Sequence, residues 1–244
     1  MFYKFIPIFL ILILWQAITS FGFVSPIFVP VLSDVILVLV KKLFEIRFWL
    51  DFGSTIWRAL VGLGFGILVG LMTGFGLSVG TKFKFSWQLI FDFLRSVPVV
   101  ALYPLFILVF GFGDWSKIFA VAWGCSFLVG LNTFYGIFHG SKIRIQSAKL
   151  LGLSGWDLLH KVIIPQSSPQ IMTGIRLAAS YSLVISLITE IYFGSTNGLG
   201  KSLVDSQLNY EIPQVYALIF VVGLVGFGWS KIIQSVEKKI LFWI

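Results

Sequence analysis

Few residues in this chain could do bond chemistry, and their spacing argues against each reaction in turn. Gly111-Phe112-Gly113-Asp114 has the GxGD form found in intramembrane aspartyl proteases, a chemistry that needs two facing carboxylates sharing a proton. No second Asp falls within an apolar span, and Asp114 is expected in a turn before Lys117. Proteolysis is therefore excluded. Gly194 to Ser202 ends in Gly200-Lys201-Ser202 and approaches the phosphate-binding pattern GxxxxGK[ST]. Ser195 stands where the first Gly is required, and the segment follows an apolar run rather than a strand, so no βα turn cradles a phosphate. His139 and His160 are not spaced as a metal pair. The single cysteine, Cys125, lies in an apolar run and forms neither an intramolecular disulfide nor a CxxC site. Glu190 closes another apolar run. A carboxylate at the bilayer centre costs about 2.5–3.5 kcal/mol, so Glu190 is placed near the interface or against protein, for hydrogen bonding or gating.

The elements that position these residues follow from composition. The 244 residues are 58% hydrophobic and 11% charged, against roughly a quarter charged in a soluble domain. With a mean hydropathy of +0.97, an all-α integral membrane protein is expected. The net charge of +8 is scattered over connections between apolar runs, which fits lipid headgroups and the positive-inside rule and gives no nucleic-acid site. Six spans are predicted: Phe5 to Phe21, Thr55 to Val79, a stretch reaching Phe110, Lys117 to Phe138, Ile171 to Phe193 and Pro213 to Ser235. The first competes with a cleaved signal peptide, but its length and Trp15-Gln16 favour an uncleaved span. Ser33-Asp34 reads as a helix start, and Val35 to Trp49 as an amphipathic helix lying on the membrane. Residues 1–54 thus form a first span with an extracytoplasmic segment, and residues 55–244 a five-helix core with a cytoplasmic loop at 139–168.

Within the second span Gly62, Gly66, Gly70 and Gly74 recur every fourth residue, a stripe that lets helix backbones approach closely in lipid. Packing inside the same bundle is the favoured reading, a subunit contact the alternative. Thr81 to Arg95 reads as a basic connection, after which Pro98 and Pro104 interrupt the third stretch. Broken helices at membrane depth mark a translocation path. With the amino terminus inside, Lys4, Lys82, Lys84, Arg95, Lys142, Arg144, Lys149, Lys161, Lys231, Lys238 and Lys239 fall on the cytoplasmic side. Lys117 and Lys201 fall outside, and Lys41, Lys42, Arg47 and Arg58 weaken the bias at the first loop. Both termini are therefore expected in the cytoplasm.

A polar island lies between the fourth and fifth spans. Ala148, Leu151, Trp156, Leu159 and Val162 recur at helical steps and predict one apolar face, while Gly152 and Gly155 predict two short helices meeting at a bend. Such a knob could be gripped by a soluble partner. The island resembles the EAA loop of ABC-transporter permeases, with Gln146, Ser147, Ala148, Gly152, Ile164 and Pro165 at the matching positions. Gln146 replaces the usual Glu and Ser147 the first Ala. Arg95-Ser96-Val97-Pro98, Pro104 to Leu108, Phe110 to Gly113, Leu131 to Ile137, Thr173 to Ala178, Glu190 and Asn197-Gly198-Leu199-Gly200 extend the likeness along nearly the whole chain, to permeases of the nitrate, sulfonate, taurine and bicarbonate class.

The resemblance implies a type I importer permease of MetI-like architecture in a bacterial inner membrane. Its implied partners are an ABC ATPase dimer that binds ATP and Mg, a second permease copy, and an extracytoplasmic solute-binding protein. This chain would hold no cofactor or metal and catalyse nothing. ATPase coupling would fall to Gln146, Ser147, Ala148, Gly152, Leu153, Gly155, Trp156, Ile164 and Pro165, and the substrate path to Arg95, Pro98, Pro104, Tyr181 and Glu190. Similar permeases carry small anions or vitamin precursors, and a channel or sensor without an ATPase is a further alternative. No basic cluster inside the spans argues for an anion, and Arg176, near the start of the fifth span, is the single candidate for meeting one.

Overall fold

Apolar runs punctuated by glycine and proline become helices throughout the described residues. The computed structural model describes residues 6–79 and 84–240. Lys4, Phe5, Thr81 and Lys82, which entered the predicted spans and orientation, lie outside them. The helices are α1 (Ile6–Ser20), α2 (Leu32–Leu43), α3 (Ile46–Val79), α4 (Lys84–Ser96), α5 (Val99–Phe110), α6 (Asp114–Phe138), α7 (Lys142–Leu150), α8 (Gly155–Leu158), α9 (Ile164–Phe193), α10 (Leu199–Leu208) and α11 (Ile212–Ile240). Four stretches are long and apolar enough to cross a bilayer: Ile46–Ser78, Asp114–Phe138, Gly155–Phe193 and Ile212–Ile240. Leu89–Ser96 with Val99–Phe110 makes a fifth if that pair, bent by 88°, counts as one span.

The predicted count of six is therefore corrected to four or five among the described residues. Helix α1 has 15 residues, about 22 Å at 1.5 Å per residue, short of a hydrocarbon core of roughly 30 Å. The amphipathic helix ends at Leu43, with Asp34 in its first turn and Lys41 and Lys42 in its last, charges that suit the helix dipole. Trp49, expected in that helix, belongs to α3. The expected basic connection before Arg95 is largely helix α4. Pro98 does break the chain, because the residue before a proline is pushed out of the helical region. Pro104 sits inside α5 without ending it.

Contacts divide the chain into two units, Met1–Thr55 with Glu190–Val225 and Ile56–Thr189 with Gly226–Ile244. In the first, the Trp15 indole donates to the Pro30 carbonyl at 3.0 Å and the Ser33 N–H to the Gln16 side chain at 3.2 Å. Trp15 also lies against the ring of Tyr216, whose hydroxyl donates to the Phe28 carbonyl at 3.0 Å. These bonds fix α1 and the turn after it onto α2 and α11.

In the second unit α6 is the central helix. Gly62, Gly66, Gly70 and Gly74 of α3 face it: a Cβ at each would lie 2.5–2.7 Å from Val121, Cys125, Ser126 and Gly130 respectively. Both registers climb together, so α3 and α6 run parallel with backbones nearly touching, the approach that small residues permit. On the other side, Gly124 meets Ile185, Gly174 meets Asn132 and Gly136 meets Gln170, which sets α9 antiparallel to α6. The Cys125 thiol, buried, donates to the Ala178 carbonyl at 3.3 Å.

Candidate functional site

The polar island folds from its glycines outward. Helix α7 starts at Ser141, whose hydroxyl accepts from the Arg144 N–H at 3.3 Å, an ordinary N-cap. It ends with Gly152 at φ +86°. The Gly152 N–H donates to the Lys149 carbonyl and the Leu153 N–H to the Ala148 carbonyl, both at 3.0 Å, the paired bonds of a Schellman turn. Gly155, at φ +49°, then starts α8. The bend is where sequence places it, but the single apolar face is not. Ala148 and Leu158 are buried, whereas Leu151 is 83% and Trp156 73% exposed, beside Leu150 at 89%. The turn breaks the helical period between Leu150 and Gly155, so residues in phase along the sequence point in different directions. Gln146 and Ser147 stand exposed on α7.

The second helix is not short. A wide π-turn, Leu159–Ile163, carries α8 straight into α9. Pro165, the second residue of α9, supplies the cause: a proline ring clashes with the carbonyl four residues back, and one wider turn relieves the clash. Gly155–Phe193 thus forms one stretch of 39 residues that passes through Ile164, Pro165 and Pro169. The span predicted to begin at Ile171 is continuous with the exposed knob.

That rod leads to a cavity. At the 88° break between α4 and α5, a volume of about 410 Å³ is lined by Arg95, Ser96, Pro98, Trp123, Tyr181 and neighbours from α6. Arg95, Pro98 and Tyr181, three of the five path residues expected from sequence, meet here. Pro104 lies exposed farther along α5. Arg95, counted as a loop charge, instead closes α4 and pairs with Asp92 at 3.1 Å. The cavity-lining stretch of α6, Trp123 to Leu131, starts about 13 Å and ends about 10 Å from the two helix ends. That is the middle of a span.

Glu190 belongs to the first unit, 1% exposed. Thr55 donates to its carboxylate at 2.9 Å, and the Gly200 N–H donates to it at 2.9 Å. Asp51, also buried, accepts from the Gly198 N–H at 2.8 Å and the Ser202 hydroxyl at 2.6 Å, while the Leu199 N–H donates to Thr55 at 2.9 Å. Two carboxylates and a hydroxyl thus occupy the amino-terminal N–H groups of α10, a favourable place for negative charge. These are the amides a phosphate-binding loop would need, and Lys201 pairs with Asp205. Sequence reasoning missed α10 and Asp51; Glu190 with the glycines that follow was the available signal. Gly198, at φ +143°, would place a Cβ 2.5 Å from the Glu190 carboxylate. Gly198→Ala and Glu190→Ala are each expected to lower stability by about 2–4 kcal/mol, the first by forcing a Cβ onto that carboxylate and the second by leaving buried donors unpaired. Thermal unfolding in detergent reads the loss, and an unchanged midpoint for both would refute this account.

Two further charges leave their expected places. Asp114 is the first residue of α6 rather than part of a turn, and pairs at 2.8 Å with Arg58, which is buried in α3 and not a loop charge. Arg176, the one anion-binding candidate expected inside a span, pairs with Glu237 at 3.1 Å. Lys117, counted as an outer charge, is buried in α6 with its amine directed at the Gly113 carbonyl. Among the described residues no group of three or more His, Cys, Asp and Glu could hold a metal ion.

Comparison with known proteins gives the family and the fold. The family described as "Binding-protein-dependent transport system inner membrane component" matches residues 62–240. The putative aliphatic sulfonates transport permease protein SsuC of Bacillus subtilis is 31% identical over 96% of this chain and 84% of its own length. The Escherichia coli protein of the same name is 28% identical over 98% and 90%. Among solved structures, an inward-facing form of the MetNI methionine ABC transporter aligns with a TM-score of 0.66 at 18% identity, covering 79% of this chain and 95% of that one. That likeness concerns the fold, which is MetI-like and all-α. The chain belongs to the family of inner membrane components of binding-protein-dependent transport systems, as a multi-pass permease subunit.

Proposed function

We propose that this permease forms half of an import path and is driven by a separate ABC ATPase dimer, which binds ATP and Mg, gripping the knob between α7 and α8. The carrying observation is the exposed apolar tip of Leu150, Leu151 and Trp156, set on a Schellman turn and joined by one continuous helix to Tyr181 in the cavity wall. A push on the tip moves that wall without an intervening hinge loop. Gln146 and Ser147, in place of the usual Glu and Ala, lie on the exposed side of the same knob. Parallel α3 and α6 with antiparallel α9 support a topology with the knob and the carboxyl terminus in the cytoplasm; an amino terminus there as well requires α1 to cross as a further span. A second copy would complete the path, and a solute-binding protein would deliver substrate from the other side of the inner membrane. The sulfonate transport named for the two relatives supports a small organic sulfonate or similar anion as the substrate.

The test is purification of the tagged chain from its native membrane in mild detergent. A stoichiometric ATPase subunit with vanadate-sensitive turnover is expected. A chain that emerges alone from several mild extractions, without ATP hydrolysis, would overturn the reading in favour of a channel or sensor.

A further inference from the structure

The cavity at the α4–α5 break brings a cation, Arg95, to open volume at mid-span depth. An arginine at that depth is costly unless it is paired or faces a water-filled path. Arg95 is half-exposed and holds only one neighbour in sequence, Asp92, at 3.1 Å. Two further features point the same way. The Trp123 indole, in the cavity wall and flanked by the rings of Phe106 and Phe127, has a buried N–H with no acceptor, whereas a buried indole N–H usually finds a partner. The first turn of α5 also starts at the cavity, with Pro98 as its N-cap and no side-chain cap on its N–H groups. A guanidinium and a helix amino terminus are complementary to negative charge, and the Trp123 N–H, buried in the wall, would join them on a turn of its ring toward the cavity.

We propose that Arg95, Trp123 and the start of α5 form a transit subsite for a small anion, with Arg95 as its charge partner. Asp92 keeps the subsite weak: an arriving anion must share the guanidinium with that carboxylate, so it binds and leaves, as passage requires. This rests on the reading of the cavity as part of a translocation path, and it assigns the anion to Arg95, which lines the cavity, rather than to Arg176, which does not.

The test uses the full chain in membrane vesicles. Cys125→Ala removes the only native thiol, and Ser96→Cys, in the cavity wall, supplies a reporter. Its labelling is timed with sulfonatoethyl and trimethylammonioethyl methanethiosulfonate, which differ in charge. The anionic-to-cationic rate ratio is expected to fall about tenfold in Arg95→Gln and to persist in Arg95→Lys, because the charge rather than the guanidinium shape sets it. Ethanesulfonate should slow labelling while Arg95 is present and have no effect in Arg95→Gln. Equal ratios in all three chains, with ATPase copurification intact, would overturn the subsite and leave the permease reading standing. A preserved charge preference without any copurifying ATPase would do the reverse.

Discussion

Gly152→Pro is expected to reduce ATP-driven uptake to background while the chain still accumulates in the membrane at its normal level. Gly152 holds φ +86°, which a proline ring fixed near −65° cannot adopt. The substitution also deletes the N–H that bonds the Lys149 carbonyl, and with it the reversal that returns the Leu153 N–H to Ala148. The knob would lose its shape, and Leu150 and Leu151 would no longer be presented together with Trp156. No side chain packs within 4 Å of a Cβ at this position, so the core does not feel the change. Gly152→Ala, which bears only the left-handed backbone cost of about 1–2 kcal/mol, should retain part of the activity. Uptake of an alkanesulfonate by proteoliposomes holding the full complex, normalised to chain content, measures both. Wild-type uptake by the proline variant would remove the knob from the coupling path.

Gly70→Leu is expected to have the largest effect on folding. A Cβ there would sit 2.7 Å from the Ser126 carbonyl oxygen and 2.7 Å from the Val129 Cβ. One of these is backbone and cannot rotate away, so α3 and α6 must separate along the stripe that also holds Gly62, Gly66 and Gly74. Overpacking of a tight core costs about 1–3 kcal/mol, and loss of the neighbouring close contacts adds to that. Gly64→Leu, on the exposed side of the same helix with nothing within 4 Å, is the control for insertion and helix propensity. Loss of monodisperse protein in detergent for Gly70→Leu, with Gly64→Leu unchanged, is the expected pair of results. Equal behaviour would show that the stripe is not a packing seam.

Much of this protein is a property of its sequence alone. The bilayer demands long apolar stretches with internally bonded backbones, so composition and run length specify a helical membrane protein. Glycine every fourth residue specifies a close helix contact, and Gly152 and Gly155 specify a bend, because both signals are local. What the sequence could not supply is the partner of each group. Arg58 finds Asp114 across 56 residues, Thr55 finds Glu190 across 135 and Asp51 finds Gly198 across 147. Periodicity reports which face of a helix is apolar, not which distant carboxylate lies opposite it. Only the tertiary fold turned scattered charges into buried pairs, moved Arg95 from a loop to the wall of a mid-span cavity, and joined the exposed knob to that wall through one unbroken helix.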